Sequence, residues 1–212
     1  TLSCAATPSQ CAALSVHRRA LAAWRTIPDT EKERWHDIAK NVQPHRPPFG
    51  YGGHISGHNL FVSAYHGFVT LGDEHIPQPV EYHPFPVSVV EIVRVSVANI
   101  SDLRLLLRLS MPLEREREPE RYALLCKVQL TEAGKGCNPG KMRNFLAEEV
   151  TKVDVATGSG SSRPVALTIP VCTAFPEVSA SSCSLHLRYM LIDRLTGYRS
   201  QYQKLSAVID TT

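Results

Sequence analysis

The chain has 212 residues, of which 43% are hydrophobic and 20% charged, and its formal net charge is +3 at pH 7. This length can bury an ample core without disulfide or metal cross-links, and the near balance of charge gives no electrostatic reason to expect nucleic acid or an anionic membrane as the main partner. Fifteen prolines against twelve glycines favour short elements joined by stiff connections, which is typical of β structure.

The chain opens with the pattern of two helices. From residue 9 to residue 26, apolar side chains recur at helical spacing, and Pro28 ends the segment. Thr30 followed by Glu33 is a capping-box signature, and the helical pattern behind it continues until Pro44. Both segments are amphipathic, so they are expected to pack against each other.

A third helix is predicted after a loop that is rich in proline and glycine. Ser56 can cap its N-terminus, and Gly72 supplies the left-handed residue that often ends a helix. The aromatic residues of the three predicted helices follow helical spacing, which favours a role in the core over an exposed platform for stacking bases or glycans. They are Trp24, Trp35, Phe61, Tyr65 and Phe68. Residues 1–75 are therefore predicted to form a three-helix unit.

Residues 76–86 are rich in proline and are predicted to form a semi-rigid connector between two domains. Residues 87–97 are then almost continuously apolar and β-branched, as expected of a buried strand. Alternating patterns follow at 103–111 and 122–130, with further strand candidates near 142–155, 164–171, 183–193 and 198–209. About seven strands in residues 87–212 predict an antiparallel β-sandwich of the immunoglobulin or fibronectin kind. The fold class is thus α+β, mainly β.

Six cysteines fall into three local pairs, Cys4/Cys11, Cys126/Cys137 and Cys172/Cys183. An even number in local pairs hints at disulfides. Cys126, however, lies on the apolar side of an alternating strand, where a free buried thiol is common. The spacings within the pairs are longer than those of zinc ligands. The sequence leaves the redox state open and predicts no zinc site.

No catalytic signature is present in the sequence. The chain lacks a Gly-x-Ser-x-Gly element. The glycines at 50–53 follow prolines rather than a strand, and the lysine and hydroxyl of a phosphate-binding loop are missing. We therefore predict a protein that is not an enzyme, binds no cofactor and has no identified small-molecule substrate.

Two of the nine histidines, His54 and His58, are four residues apart, which is the spacing of two metal ligands on one helical face. They stand at a loop-to-helix junction, and no carboxylate accompanies them at matching spacing. They are the candidate metal ligands, but a surface or capping role is the preferred interpretation, and no bound metal is predicted.

A nucleic-acid interface on the helical part is a second hypothesis. It would use Arg18, Arg19, Arg25 and the loop that contains Arg46, and Tyr51 is a further candidate for interaction. Residues 18–83 contain seven Lys and Arg against seven Asp and Glu, so the basic excess of nucleic-acid-binding modules is missing. Nucleic acid is therefore not expected as the main partner.

Several segments carry a family resemblance. They are the helix pair with Trp24 and Trp35, the run Ser56-Gly57 ahead of Asn59-Leu60-Phe61-Val62, the proline connector, and the closing run Ile192-Asp193-Arg194-Leu195-Thr196-Gly197-Tyr198-Arg199-Ser200. With them the chain resembles uncharacterised Bacteroidota proteins of similar length, which are often associated with phage or other mobile elements. The resemblance implies the same architecture and no particular activity. Segments 23–39 and 55–62 are also similar to parts of an HMG box, but in reversed order and without its basic excess.

These observations favour a non-enzymatic structural or assembly protein that acts through a protein partner or through self-association. Nucleic-acid binding by the helical unit and metal binding by the histidines of residues 54–83 are the alternatives. No run approaches the roughly twenty apolar residues that a membrane-spanning helix needs. The N-terminal residues lack the pattern of an uncleaved signal peptide, which leaves both the cytoplasm and export open.

Overall fold

The structure is a computed structural model that describes residues 8–42, 55–98, 102–112, 119–150, 162–178 and 182–210. Its helices and its two antiparallel four-stranded sheets confirm the predicted α+β, mainly β fold class with a helical N-terminus. The chain divides into two compact units. The first consists of Thr1–Pro84 and Asp193–Arg199, and the second of Phe85–Ile192 and Ser200–Thr212.

The first unit contains the three predicted helices, α1 (Pro8–Thr26), α2 (Asp29–Asn41) and α3 (Gly57–Thr70). Ser56 caps α3 by accepting a hydrogen bond from the backbone N–H of Asn59 at 3.2 Å. The capping box predicted at Thr30 is wrong, because Pro28 takes the N-cap position of α2 and no side chain caps that end. Thr30 consequently lies inside the first turn, where acidic residues face the positive end of the helix dipole.

The end of α3 confirms the predicted glycine stop. Gly72 has a φ of +83°, and its N–H donates to the carbonyl of Val69 at 3.1 Å. The N–H of Asp73 reaches back to the carbonyl of Phe68 at 2.9 Å. These are the two hydrogen bonds of a Schellman motif, which satisfies carbonyls at a helix end and favours glycine at the left-handed position.

Aromatic residues form the core of the first unit, as the helical spacing predicted. Trp35 is fully buried, and its ring centroid lies 5.5 Å from that of Phe61 and 6.1 Å from that of Tyr198. Trp24 is half-buried and contacts Phe61 at 5.2 Å. Smaller apolar residues and two further aromatics complete the buried set, namely Ala20, Ile27, Ala39, Leu60, Ala64, Tyr65 and Phe68.

Two glycines of α3 allow close backbone approaches inside the first unit. A Cβ atom built on Gly57 would lie 2.6 Å from the backbone nitrogen of His36, so α2 and α3 approach each other there at van der Waals contact. A Cβ atom on Gly67 would run into the carbonyl oxygen of Gly197. Gly197 itself has a φ of +71°, a conformation that side chains with a Cβ rarely adopt.

The described residues of the second unit contain eight strands and a single-turn α-helix, besides 3-10 turns at Pro119–Arg121 and Pro139–Lys141. In chain order they are β1 (Val89–Ala98), β2 (Asp102–Ser110), β3 (Tyr122–Glu132), β4 (Arg143–Leu146), β5 (Glu148–Glu149), β6 (Ser162–Pro170), α4 (Val171–Ala174), β7 (Ser182–Asp193) and β8 (Gln203–Asp210). One sheet has the order β1-β2-β6-β5 and the other β4-β3-β7-β8. The strand predicted near 142–155 is divided into β4 and β5, and its remainder lies outside the described residues.

The hydrophobic core of the second unit lies between these two sheets. Strand β2 contributes alternate residues, all fully buried, which are Leu103, Leu105, Leu107 and Leu109. Leu167 of the neighbouring β6 lies on the same face of this sheet. Residues of β3 and β7 face them from the other sheet, including Leu124, Val128, Leu185 and Leu187. Leu106 breaks the alternation and is only half-buried, as its position in the pattern predicted.

The chain changes sheets between β4 and β5. Only Ala147 separates the two strands, and its N–H still donates to the carbonyl of Leu124 in β3 at 2.9 Å. Because β4 and β5 are the end strands of their sheets, this crossing closes one side of the sandwich. The end strands β1 and β8 therefore lie on the opposite side.

Cys126, Cys137, Cys172 and Cys183 are free thiols, so the disulfides suggested by their local spacing do not form at Cys126/Cys137 or Cys172/Cys183. The reason is that Cys126 and Cys183 point into the core while Cys137 and Cys172 are exposed. Cys4 lies outside the described residues. Burial raises the pKa of the Cys126 thiol to about 12, so this group stays protonated at neutral pH and packs as a small apolar side chain.

Candidate interaction surface

Of the two candidate metal ligands, the structure describes only His58. His54 lies outside the described residues. His58 is half-buried and packs edge-on against Trp24, with the ring centroids 5.3 Å apart. Within the described part of the chain, no group of three or more His, Cys, Asp or Glu side chains gathers where it could hold a metal ion. The contact of His58 is thus aromatic packing within the first unit.

Of the five candidates for interaction on the helical part, the structure describes the three on α1. Arg46 and Tyr51 lie outside the described residues. Arg18 is exposed on α1, whereas Arg19 donates a hydrogen bond to Glu74 with its Nη1 atom 2.7 Å from Oε1. The charge of Arg19 is therefore partly balanced inside the first unit. This pairing weakens the case for a basic surface on α1.

A different surface stands out on the second unit, where β1 is the end strand of its sheet. One side of β1 pairs with β2 from Val89 opposite Ser110 to Ala98 opposite Asp102. On the other side, no strand within the described residues pairs with it. We call this side, Val89–Ala98, the β1 edge. Backbone donors and acceptors along such an edge are a template for another strand.

The residues of the β1 edge are unusually apolar for an exposed strand. Val89 is 50% exposed, Val93 40% and Val97 47%. Among residues 89–97, only Val90 is buried, while Ile92 and Val95 are partly buried against the core. Exposed β-branched residues on an end strand favour contact with a partner strand or side chain over contact with water.

Val93 is the extra residue of a β-bulge between Ile92 and Arg94. The core-facing residues before the bulge are Val90 and Ile92, and those after it are Val95 and Val97, as their buried leucine partners on β2 show. The bulge therefore shifts the alternation by one position. Bulges often protect sheet edges from unwanted pairing, so a strand that accepts this edge has to match the shift.

Two opposite charges flank the bulge on the solvent face. Glu91 lies opposite Arg108, and the two form a loose ion pair with a 3.5 Å separation. Arg94 is exposed, lies opposite Leu106 and has no ion-pair partner among the described residues. The β1 edge thus carries one carboxylate and one guanidinium, three residues apart, beside its exposed valines.

This surface is not predicted from the sequence, because the apolar run at 87–97 is typical of a buried strand. That prediction is wrong, since β1 is an end strand and three of its valines are about half exposed. A signal was present in the charges of Glu91 and Arg94, which interrupt the apolar run, and in the prolines ahead of it. Charges and prolines are common on edge strands.

Comparison with known proteins adds no relative to this description. No protein-family model, curated protein or solved structure matches the chain. Among the described residues, no helix is long and apolar enough to cross a membrane.

Proposed function

We propose that the protein is a non-enzymatic structural or assembly protein that acts through protein–protein interaction, and that the partner of the β1 edge is a second copy of the same chain. The observation that carries the proposal is the β1 edge itself. It is a ten-residue end strand with exposed valines and with two opposite charges placed around its bulge. Strand addition at such an edge uses backbone hydrogen bonds for affinity and side chains for register.

The same proposal treats the second unit as an immunoglobulin- or fibronectin-like sandwich. The sheet orders β1-β2-β6-β5 and β4-β3-β7-β8 support it. They correspond to the ABED and CFG sheets of an immunoglobulin domain, with β4 as one extra strand beside β3. Sandwiches of this kind present their end strands and end loops to partners. Architecture alone does not define the partner, so the argument rests on the residues of the edge.

Charge complementarity supports a second copy as the partner. In an antiparallel pair of two β1 strands, one register places Glu91 of each copy opposite Arg94 of the other, so two opposite-charge pairs form around a twofold axis. The same register places Val90 opposite Val95. Because Val93 shifts the alternation, each of these pairs has both members on the same face of the extended sheet. The sequence of β1 is therefore complementary to itself across its own bulge.

The end strand of the other sheet on this side, β8, has fewer exposed apolar residues that could pair with a second copy. Strand β8 is shorter, with eight residues, and Val208 is its one large hydrophobic residue with a strongly exposed side chain, at 74%. Lys204 and Ser206 occupy the other exposed positions on that face. Cross-strand aromatic or β-branched pairs stabilise strand association more than pairs of short polar residues do. This difference favours β1 as the assembly edge.

The native mass in solution tests the proposal. Light scattering over a range of protein concentrations is expected to show a mass that rises from one chain of 23.5 kDa towards twice that value, with and without reductant. Dissociation on dilution is expected because a single strand pair buries less surface than a standard stable interface. A mass of one chain at all concentrations up to the millimolar range would refute self-assembly.

A further inference from the structure

The second unit also contains a cleft of about 510 Å³ next to the connection between β3 and β4. Residues 129–143 form one wall and residues 174–178 form the other. A cleft of this size falls within the range of pockets that bind small molecules or short peptide ends. It shares no residue with the β1 edge, so it requires an explanation of its own.

One wall of the cleft presents hydrogen-bond donors. Gln129 is only 6% exposed, and its Oε1 accepts the backbone N–H of Asn138 at 2.7 Å. The Oδ1 of Asn138 accepts the N–H of Gly140 at 3.0 Å. Both amide oxygens are therefore occupied, which fixes the side chains and leaves their NH₂ groups as donors without an acceptor in the described part of the chain.

Positive charge lies beside these donors. Lys135 is neutralised by Glu132, with 2.8 Å between Nζ and Oε2. Lys141 and Arg143 also line the cleft, and neither forms an ion pair within the described residues. The donor wall therefore offers two amide NH₂ groups, an ammonium and a guanidinium. The lining as a whole has three cations, Lys135, Lys141 and Arg143, against the two carboxylates of Glu132 and Glu177. The excess of one positive charge is complementary to a single anionic acceptor.

The opposite wall is apolar apart from the exposed carboxylate of Glu177. Phe175 is 7% exposed and belongs to the core, and Val178 and Ala174 pack partly buried against it. This wall gives no hydrogen bond to an anion, but it can bury an aromatic or aliphatic group. Phosphate or sulfate alone would leave the apolar wall in water. A ligand that carries both a negative charge and an apolar group satisfies both walls.

We propose that this cleft binds a carboxylate with an adjacent apolar side chain, supplied by a free organic acid or by the C-terminal residue of a peptide. The carboxylate accepts hydrogen bonds from Gln129 and Asn138 and pairs with Lys141 and Arg143. The apolar group packs against Phe175. This arrangement combines charge-assisted hydrogen bonds for orientation with an apolar surface for affinity.

The test is a titration followed by the NMR signals of Gly136, Asn138 and the side-chain amide of Gln129. The probes are N-acetylphenylalanine, its uncharged carboxamide, and the peptide Ala-Ala-Phe with a free C-terminus. We expect the first or third probe to shift these signals and the carboxamide to bind about tenfold more weakly or not at all. Stronger binding of the peptide would assign the ligand to a chain end, and stronger binding of the acetylated residue to a free acid.

Matched variants complete the test. Lys141→Met and Arg143→Met are each expected to weaken binding about tenfold, whereas Lys204→Met on β8, with the same loss of charge, is expected to leave it unchanged. Equal binding of acid and carboxamide, equal effects of all three variants, or no shift at the cleft would overturn the proposal. Since the cleft lies apart from the β1 edge, these results do not depend on whether the chain dimerises.

Discussion

Replacing Gly67 by alanine is expected to lower the free energy of unfolding of the first unit by about 3 kcal/mol or more. In an exposed helix the same change would stabilise by about 1 kcal/mol, because alanine has the higher helix propensity. In α3, however, the new Cβ would collide with the carbonyl oxygen of Gly197. That atom is backbone and cannot turn aside, so α3 and the 193–199 segment would have to separate.

Tryptophan fluorescence during urea unfolding measures this effect directly. Both tryptophans of the chain, Trp24 and Trp35, belong to the first unit. Gly136→Ala is the matched control, because its Cβ would meet nothing within 4 Å, and its stability is expected to change by no more than about 0.5 kcal/mol. A Gly67→Ala protein as stable as the unmodified chain would show that the close approach to Gly197 is not maintained in solution.

Reversing one charge on the β1 edge is expected to weaken dimerisation about tenfold or more. In the proposed register, Arg94→Glu places two carboxylates opposite each other twice in every dimer, and like charges directly opposite destabilise strand pairing. The double variant Glu91→Arg with Arg94→Glu restores both opposite-charge pairs in exchanged positions. It should therefore recover most of the lost affinity. Light scattering measures this affinity as the protein concentration at which half of the dimer has dissociated.

Lys204→Glu on β8 serves as the control for this series, since it introduces the same charge reversal on the other end strand. It is expected to leave the dimer unchanged. Glu91 also pairs with Arg108 at 3.5 Å, but that pair is partly exposed and contributes little to folding, so the double variant should fold normally. If the double variant stayed as monomeric as Arg94→Glu, the register would be wrong even if the chain dimerised by another surface.

Local patterns in the sequence were sufficient to predict most of the elements. Helical spacing and the signals at Ser56 and Gly72 predicted α3 and both of its ends, and alternation predicted β2 and β3. These features depend on residues a few positions apart, whose relation is visible in the sequence. The capping box at Thr30 failed because the preceding Pro28 took the N-cap position.

The candidate surfaces could not be predicted from the same patterns, because they depend on neighbours distant in the chain. A run of valines indicates a strand but does not tell whether another strand lies on each side of it. The assignment of 193–199 to the first unit likewise rests on contacts such as Gly197 with Ala64 and Phe68, more than a hundred residues away. The cleft forms from residues near 130, 140 and 175, which no local pattern brings together.

Contacts between differently labelled chains measure directly whether two copies of β1 pair with each other. In a dimer mixed from isotope-labelled and unlabelled chains, filtered nuclear Overhauser spectra are expected to connect Val90 of one copy with Val95 of the other. Intermolecular contacts confined to β8 or to the helices, in a sample whose mass is twice that of one chain, would show that the dimer does not form through β1.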